Sequence, residues 1–287
     1  MDNKVDYFKM LGLLNPDQFL TGNNFAKKAD FIYAEAVSLS DFEKMDKTNL
    51  EFSIIESHIV IYSKKNIKLF ENDVIYCKTD FLLELFSKLY LVKTLSNIKL
   101  ITHQAATPWI DEKLYSLKPD CISEWYSINT NLKKENLIAI PLGIANNFSK
   151  PNLHAKDFIN FYSKQTNTSK LNKIYCNFRV NTNPVRASYL KNMESNNDCI
   201  IDEPNLTKTK YLEKLNKYNY IFCPEGLGID THRFWETFYA GSVPVSKKQM
   251  IYRSYEKYFE EFIPSKNINI ESFRDINFDR NLAEILN

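Results

Sequence analysis

Five polar or charged side chains fall within seven residues: Asp230, Thr231, His232, Arg233 and Glu236. They follow the turn Pro224-Glu225-Gly226-Leu227-Gly228. A glycine-bearing turn that feeds a helix N-terminus presents free backbone N–H groups and the positive end of the helix dipole to a ligand. Gly226 and Gly228 leave such groups exposed even as plain turn residues. Arg233 offers a planar fork of donors suited to phosphate, or an ion pair with Glu236 or Asp230. Asp230 and Thr231 suit helix capping as well as ligand contact, and His232 suits either a phosphate or packing. An anion cradle with a cation and a carboxylate one helical turn apart suits a nucleotide diphosphate joined to a ribose. Trp235, on a different face from Glu236, is expected in the core.

The elements that must position these groups are legible around them. Tyr220 to Cys223 form an apolar run ended by Pro224, the pattern of a buried parallel strand. A helix over 232–240 follows, Gly241 stops it, and Val243-Pro244-Val245 opens the next strand. Strand and helix patterns alternate along most of the chain, which indicates α/β architecture with parallel sheets. Strand candidates are 31–37, 52–55, 58–62, 74–77, 100–102, 138–140, 173–177, 199–202 and 262–264. Helix candidates are 81–95, 110–117, 185–194, 207–217 and a terminal helix over 273–286. A polar stretch from Asn146 to Lys173, helical near 154–163, reads as a hinge. Two domains, 1–150 and 151–287, are therefore expected, with the terminal helix packing back on the first.

The chain has 287 residues and a net charge of +2, too balanced to indicate nucleic acid or an acidic membrane surface. The N-terminus lacks the apolar region of a signal peptide, and no run approaches a membrane span. A cytoplasmic location is the expectation. Five cysteines without a C-x-x-C pair read as free thiols, with Cys77, Cys176 and Cys223 buried in strands.

The stretch 220–245 resembles the signature of exostosin-type glycosyltransferases. Pro224, Gly226, Gly228, Asp230, Thr231, His232, Arg233, Trp235, Glu236, Gly241, Ser242, Pro244 and Val245 fit its pattern. Glu225 departs from it, standing where the family usually has arginine. Asn177-Phe178 with Thr182-Asn183-Pro184 and Arg186 resembles the family's first C-domain strand. Glu124-Trp125, Asn129 and Ile140 to Ile144 resemble the end of its N-domain in short bacterial and viral relatives. The resemblance covers roughly residues 100–260. It implies a GT-B fold, two Rossmann-like domains facing across a cleft. It also implies a nucleotide-sugar donor in the second domain, a glycan acceptor in the first, and inverting transfer. By the same resemblance Glu236 would accept both ribose hydroxyls and Arg186 would reach the donor.

Inverting transfer needs a base for the acceptor hydroxyl and stabilisation of the departing diphosphate. The chain has no Asp-x-Asp, so the helix N-terminus, Arg186 and Arg233 are expected to serve the diphosphate with no metal and no cofactor. Ligands in open α/β sheets lie at the carboxyl ends of strands, which selects Asp80 and His103 as candidate bases. Asp80 also suits an N-cap. Asp73, before its strand, and Asp111 complete the candidates. The reading is an inverting, metal-independent transferase using a UDP-sugar such as UDP-xylose or a UDP-hexose. Alternatives are a GDP-fucose-dependent fucosyltransferase-like enzyme, or a non-catalytic nucleotide- or glycan-binding module.

Overall fold

A computed structural model describes residues 11–65, 68–164, 169–266 and 268–274. The expected α/β class holds, with two Rossmann-like units. One comprises Leu20–Lys150; the other comprises Pro151 onward together with the residues before Leu20.

The first unit is built on a seven-stranded sheet of order β2-β3-β1-β4-β5-β6-β7. Its strands are β1 Phe31–Ser38, β2 Leu50–Glu56, β3 Ile59–Lys64, β4 Val74–Lys78, β5 Ile98–His103, β6 Ile122–Ser127 and β7 Leu137–Ala139. β1, β4, β5, β6 and β7 run parallel. Against the expectation of parallel strands, β2 and β3 form an antiparallel hairpin on the edge at β1, and β6 is a strand that the sequence pattern did not mark. Both sheet faces are covered, which is why β4 and β5 read as continuous apolar runs. Ile75, Cys77 and Leu100 point to one core with helix α3 (Leu82–Leu89), while Tyr76 and Ile101 point to the other with Val37, Val60 and Ile140. Helix α3 buries Leu82, Leu85, Phe86 and Leu89, an i, i+3, i+4, i+7 stripe. It ends at Leu89, well before the expected residue 95, because Tyr90, Leu91 and Val92 beyond it are exposed and find no core to pack against. The first unit also contains the short helices α1 (Gly22–Ala26), α2 (Leu39–Phe42) and α4 (Glu112–Tyr115).

The second unit carries a five-stranded, all-parallel sheet of order β12-β11-β10-β8-β9. Its strands are β8 Leu171–Cys176, β9 Cys199–Ile201, β10 Tyr218–Phe222, β11 Val243–Ser246 and β12 Glu260–Glu261. Helices α5 (Ala155–Tyr162), α6 (Val185–Glu194), α7 (Lys208–Lys217) and α8 (His232–Tyr239) accompany them. From β8 the chain goes to one neighbour, β9, and then returns to the other side as β10. Strand order therefore reverses between β8 and β10, the doubly wound topology whose crevice takes ligands.

Residues 11–19 lie with this second unit. The Phe19 ring lies 4.7 Å from that of Tyr239 and 6.1 Å from that of Phe158. Gly12 sits so close to Ser163 that a Cβ there would lie 2.9 Å from its amide nitrogen. Of the terminal helix expected over 273–286, residues 275–286 lie outside the described residues; Phe273 and Arg274 are not helical. The last strand falls at 260–261 instead of 262–264. All five cysteines are free thiols, with Cys77, Cys176 and Cys223 buried.

Candidate functional site

A cavity of about 310 Å³ lies at the carboxyl ends of β8, β9 and β10. The loop after β8 and the start of α6 supply Asn177, Arg179, Thr182 and Arg186. The segment after β9 and the first turn of α7 supply Pro204, Leu206, Lys208 and Tyr211. Helix α8 supplies Arg233 and Glu236, and Pro151 to Leu153 close the remaining side. Four cationic side chains thus face one carboxylate, a balance that favours a polyanionic ligand carrying hydroxyls.

Glu236 is 5 % exposed. Its Oε2 accepts from the Tyr211 hydroxyl at 3.1 Å, and the Leu153 backbone N–H also serves it. Burial raises its pKa, against the pull of Arg233, the Tyr211 hydroxyl and that N–H. Arg233 Nη1 donates to the Tyr211 oxygen at 2.9 Å. Burial works to lower the Arg233 pKa, but Tyr211 and Glu236 beside it hold it above its ordinary value. The Tyr211 hydroxyl therefore bridges the two charged groups, accepting from one and donating to the other.

Arg186 sits differently from the expectation. It lines the cavity, yet its guanidinium donates to three backbone carbonyls: Nε to Glu225 at 2.7 Å, Nη1 to Arg179 at 2.9 Å and Nη2 to Pro224 at 2.9 Å. Burial, and next to it Arg233, lower its pKa to about 10.

Of the remaining donor candidates, none lines this cavity. The Gly226 N–H is given to the Gly228 carbonyl, so it is not an exposed donor, and the Asn183 amide holds the Gly226 carbonyl. The Asp230 carboxylate is 2 % exposed and accepts from the Trp235 indole, the Tyr252 hydroxyl and the Thr231 N–H. Its geometry is that of a scaffold for α8. Thr231 is the N-cap of α8, but its hydroxyl makes no capping bond and is buried without a hydrogen-bond partner. His232 opens the helix, half-buried. Trp235 is fully buried, as expected. Glu225 is neutralised locally: Lys247 Nζ lies 2.6 Å and the Tyr189 hydroxyl 3.1 Å from its Oε1.

In the first unit, Asp80 lies just past the carboxyl end of β4, where its half-exposed carboxylate pairs with Lys78. It caps no helix; the N-cap of α3 is Phe81. His103 ends β5 and is 1 % exposed. Its Nδ1 accepts from the Gln104 N–H at 2.7 Å and its Nε2 lies 3.2 Å from the Pro141 carbonyl. Both ring nitrogens thus serve the backbone, which assigns the neutral Nε2–H tautomer. Asp73 lies at the opposite, amino end of β4, its side chain accepting from the Phe70 N–H. Asp111 caps α4 through the Leu114 N–H.

Lys208 and Tyr211 were missed, although both lie on the first turn of α7, the helix that follows β9. Arg179, next to the Asn177-Phe178 pair, was also missed. The Leu153 N–H carries no side-chain signal that could have pointed to it. Glu35 was missed as well. It is 5 % exposed, level with the carboxyl ends of β4 and β5, and held by the Tyr62 hydroxyl and the Asn23 amide. Burial pushes its pKa up to about 7.

Among the described residues there is no group of three or more His, Cys, Asp or Glu that could hold a metal ion, and no helix long and apolar enough to cross a membrane. No family model matches the chain, and no curated protein matches it. Among solved structures it is similar to the crystal structure of an alpha1,3-fucosyltransferase, at 14% identity and a TM-score of 0.35. That match covers 78% of this chain and 69% of the other.

Proposed function

We propose that the cavity of the second unit binds a nucleoside diphosphate sugar and that the protein is an inverting glycosyltransferase of GT-B type. The observation that carries this reading is one cavity, at a topological switch point, with four cations and a single buried carboxylate. Arg179, Lys208 and Arg233 would meet the diphosphate. Glu236, fixed by Tyr211 and the Leu153 N–H, would accept the two hydroxyls of the ribose. As the bond to the anomeric carbon breaks, the same cations would stabilise the charge gathering on the diphosphate, with no metal required. The acceptor hydroxyl would bind to the first unit. Asp80 is the candidate base there that keeps an exposed carboxylate at a strand's carboxyl end.

Thermal-shift titrations with UDP, GDP and CMP test the cavity. At least one should raise the melting temperature, and the preferred base narrows the sugar. A flat response to all three would sink the reading. A shift without release of nucleoside diphosphate from any sugar donor and acceptor panel would leave a binding module in place of an enzyme. Transfer lost in EDTA and restored by Mn²⁺ would overturn metal independence.

A further inference from the structure

Arg186 spends its guanidinium on the protein's own backbone. An arginine has five N–H donors, and here three of them go to carbonyls of Arg179, Pro224 and Glu225. Those carbonyls belong to the two loops that flank the switch point: Arg179 follows β8, while Pro224 and Glu225 follow β10. The side chain is 8 % exposed, and the Phe178 ring lies 5.7 Å from its Cζ. Gly226 completes the fit. A Cβ at that position would lie 3.1 Å from Arg186 Nη2, while the Gly226 carbonyl is tied by Asn183 from the same α6 entry. Gly226 has no positive φ, so close approach of the arginine, not a turn geometry, is what its missing side chain serves.

We propose that Arg186 is a positioning residue that pins the β10 loop to the β8 loop and fixes the width of the crevice in which Arg233 and Glu236 meet the ligand. The inference rests on the donor-site reading above for its consequence, but the pinning itself does not. A phosphate contact needs only a positive charge; pinning three carbonyls in three directions needs the planar fork. Lysine separates the two roles, since it keeps the charge and cannot span the three acceptors.

The experiment uses the full chain and three variants, Arg186→Lys, Arg186→Ala and Gly226→Ala. Amide hydrogen exchange over residues 223–231 is read without ligand, and UDP and GDP affinities are read by calorimetry. All three variants should exchange this loop at least tenfold faster than wild type, with exchange in β4 and β5 of the first unit unchanged. Nucleotide Kd should rise at least tenfold in each, Gly226→Ala included although it retains the arginine. Guanidinium or methylguanidinium added to Arg186→Ala should slow the exchange and recover part of the affinity. Wild-type exchange and affinity in Arg186→Lys would overturn the proposal and make Arg186 a charge contact. Wild-type exchange in Gly226→Ala would overturn it independently, even if both arginine variants failed to fold. A wild-type chain that binds no nucleotide would refute the donor-site reading, while the exchange data would still decide the pinning.

Discussion

Tyr211→Phe deletes one oxygen and tests how the cavity is charged. In the wild type that oxygen accepts from Arg233 Nη1 at 2.9 Å and donates to Glu236 Oε2 at 3.1 Å. The ring and its packing survive the change. What is lost is two hydrogen bonds to charged groups, each worth about 1.5–3 kcal/mol where water cannot replace them. Water in place of the lost hydroxyl would replace one of the two, leaving a net loss of about 1.5–3 kcal/mol. If nucleotide binding depends on Glu236 and Arg233 being held at this spacing, the loss appears in affinity, and Kd rises roughly 10- to 150-fold. There is a second signature. Burial raises the Glu236 pKa and Tyr211 is one of the groups opposing that rise, so removing it moves the pKa further up. A carboxylate accepts ribose hydroxyls only when ionised. The acid limb of binding should therefore shift to higher pH in the variant. Calorimetric titration of UDP and GDP between pH 5 and pH 8 gives both quantities. An unchanged Kd together with an unchanged acid limb would show that Tyr211 does not set the state of Glu236, and the bridge would be incidental.

Three further outcomes follow from the same geometry. Glu236→Ala should abolish the thermal shift caused by the preferred nucleotide; a full shift would remove Glu236 from the site. Asp230→Ala leaves the Trp235 indole, the Tyr252 hydroxyl and the Thr231 N–H without their shared acceptor, at a cost of about 3 kcal/mol, or roughly 6–12 °C in Tm, whereas a ligand-contact role would leave the Tm of the unliganded protein unchanged. Glu35 has a folded pKa raised from 4.5 to about 7, so the protonated form is the one the fold prefers. Its contribution of about 3 kcal/mol is present in full below pH 4.5 and is lost as pH rises through 7. Denaturant titrations of wild type and Glu35→Gln across pH 4–8 should show that slope in the wild type and a flatter curve in the variant.

The parallel framework was readable because strands buried on both faces leave unbroken apolar runs and amphipathic helices leave stripes. Helix 185–194 was located to the residue. The failures have local causes. The strands of the β2–β3 hairpin were legible at 52–55 and 58–62, but their antiparallel pairing was not, because six of the seven residues of β2 are exposed, Phe52, Ile54 and Ile55 among them, and leave no buried face to mark an edge hairpin. The return of residues before Leu20 to the second unit is a long-range choice made by Phe19 against Phe158 and Tyr239, and no local pattern encodes a partner over two hundred positions away. In the cavity, Arg233 and Glu236 were legible from their spacing. Tyr211 was not, because nothing in helix 208–217 distinguishes a tyrosine that faces a cavity from one that packs.

The stretch 224–236 also divides its labour in a way its letters do not disclose. Arg233 and Glu236, three residues apart on α8, share the face that borders the cavity. Asp230 and Trp235 take the opposite duty: the indole donates to the carboxylate, Tyr252 adds a third bond, and the helix is fixed at its N-terminus from below. Gly226 leaves room for Arg186, and Arg186 in turn holds the carbonyls of Pro224 and Glu225. The Glu225 side chain pairs with Lys247 and Tyr189, while its carbonyl, which any residue supplies, remains in the clamp. A substitution at 225 that discards the Lys247 pair should thus weaken the unit without altering nucleotide choice, whereas the same disturbance at 226 should reach the cavity.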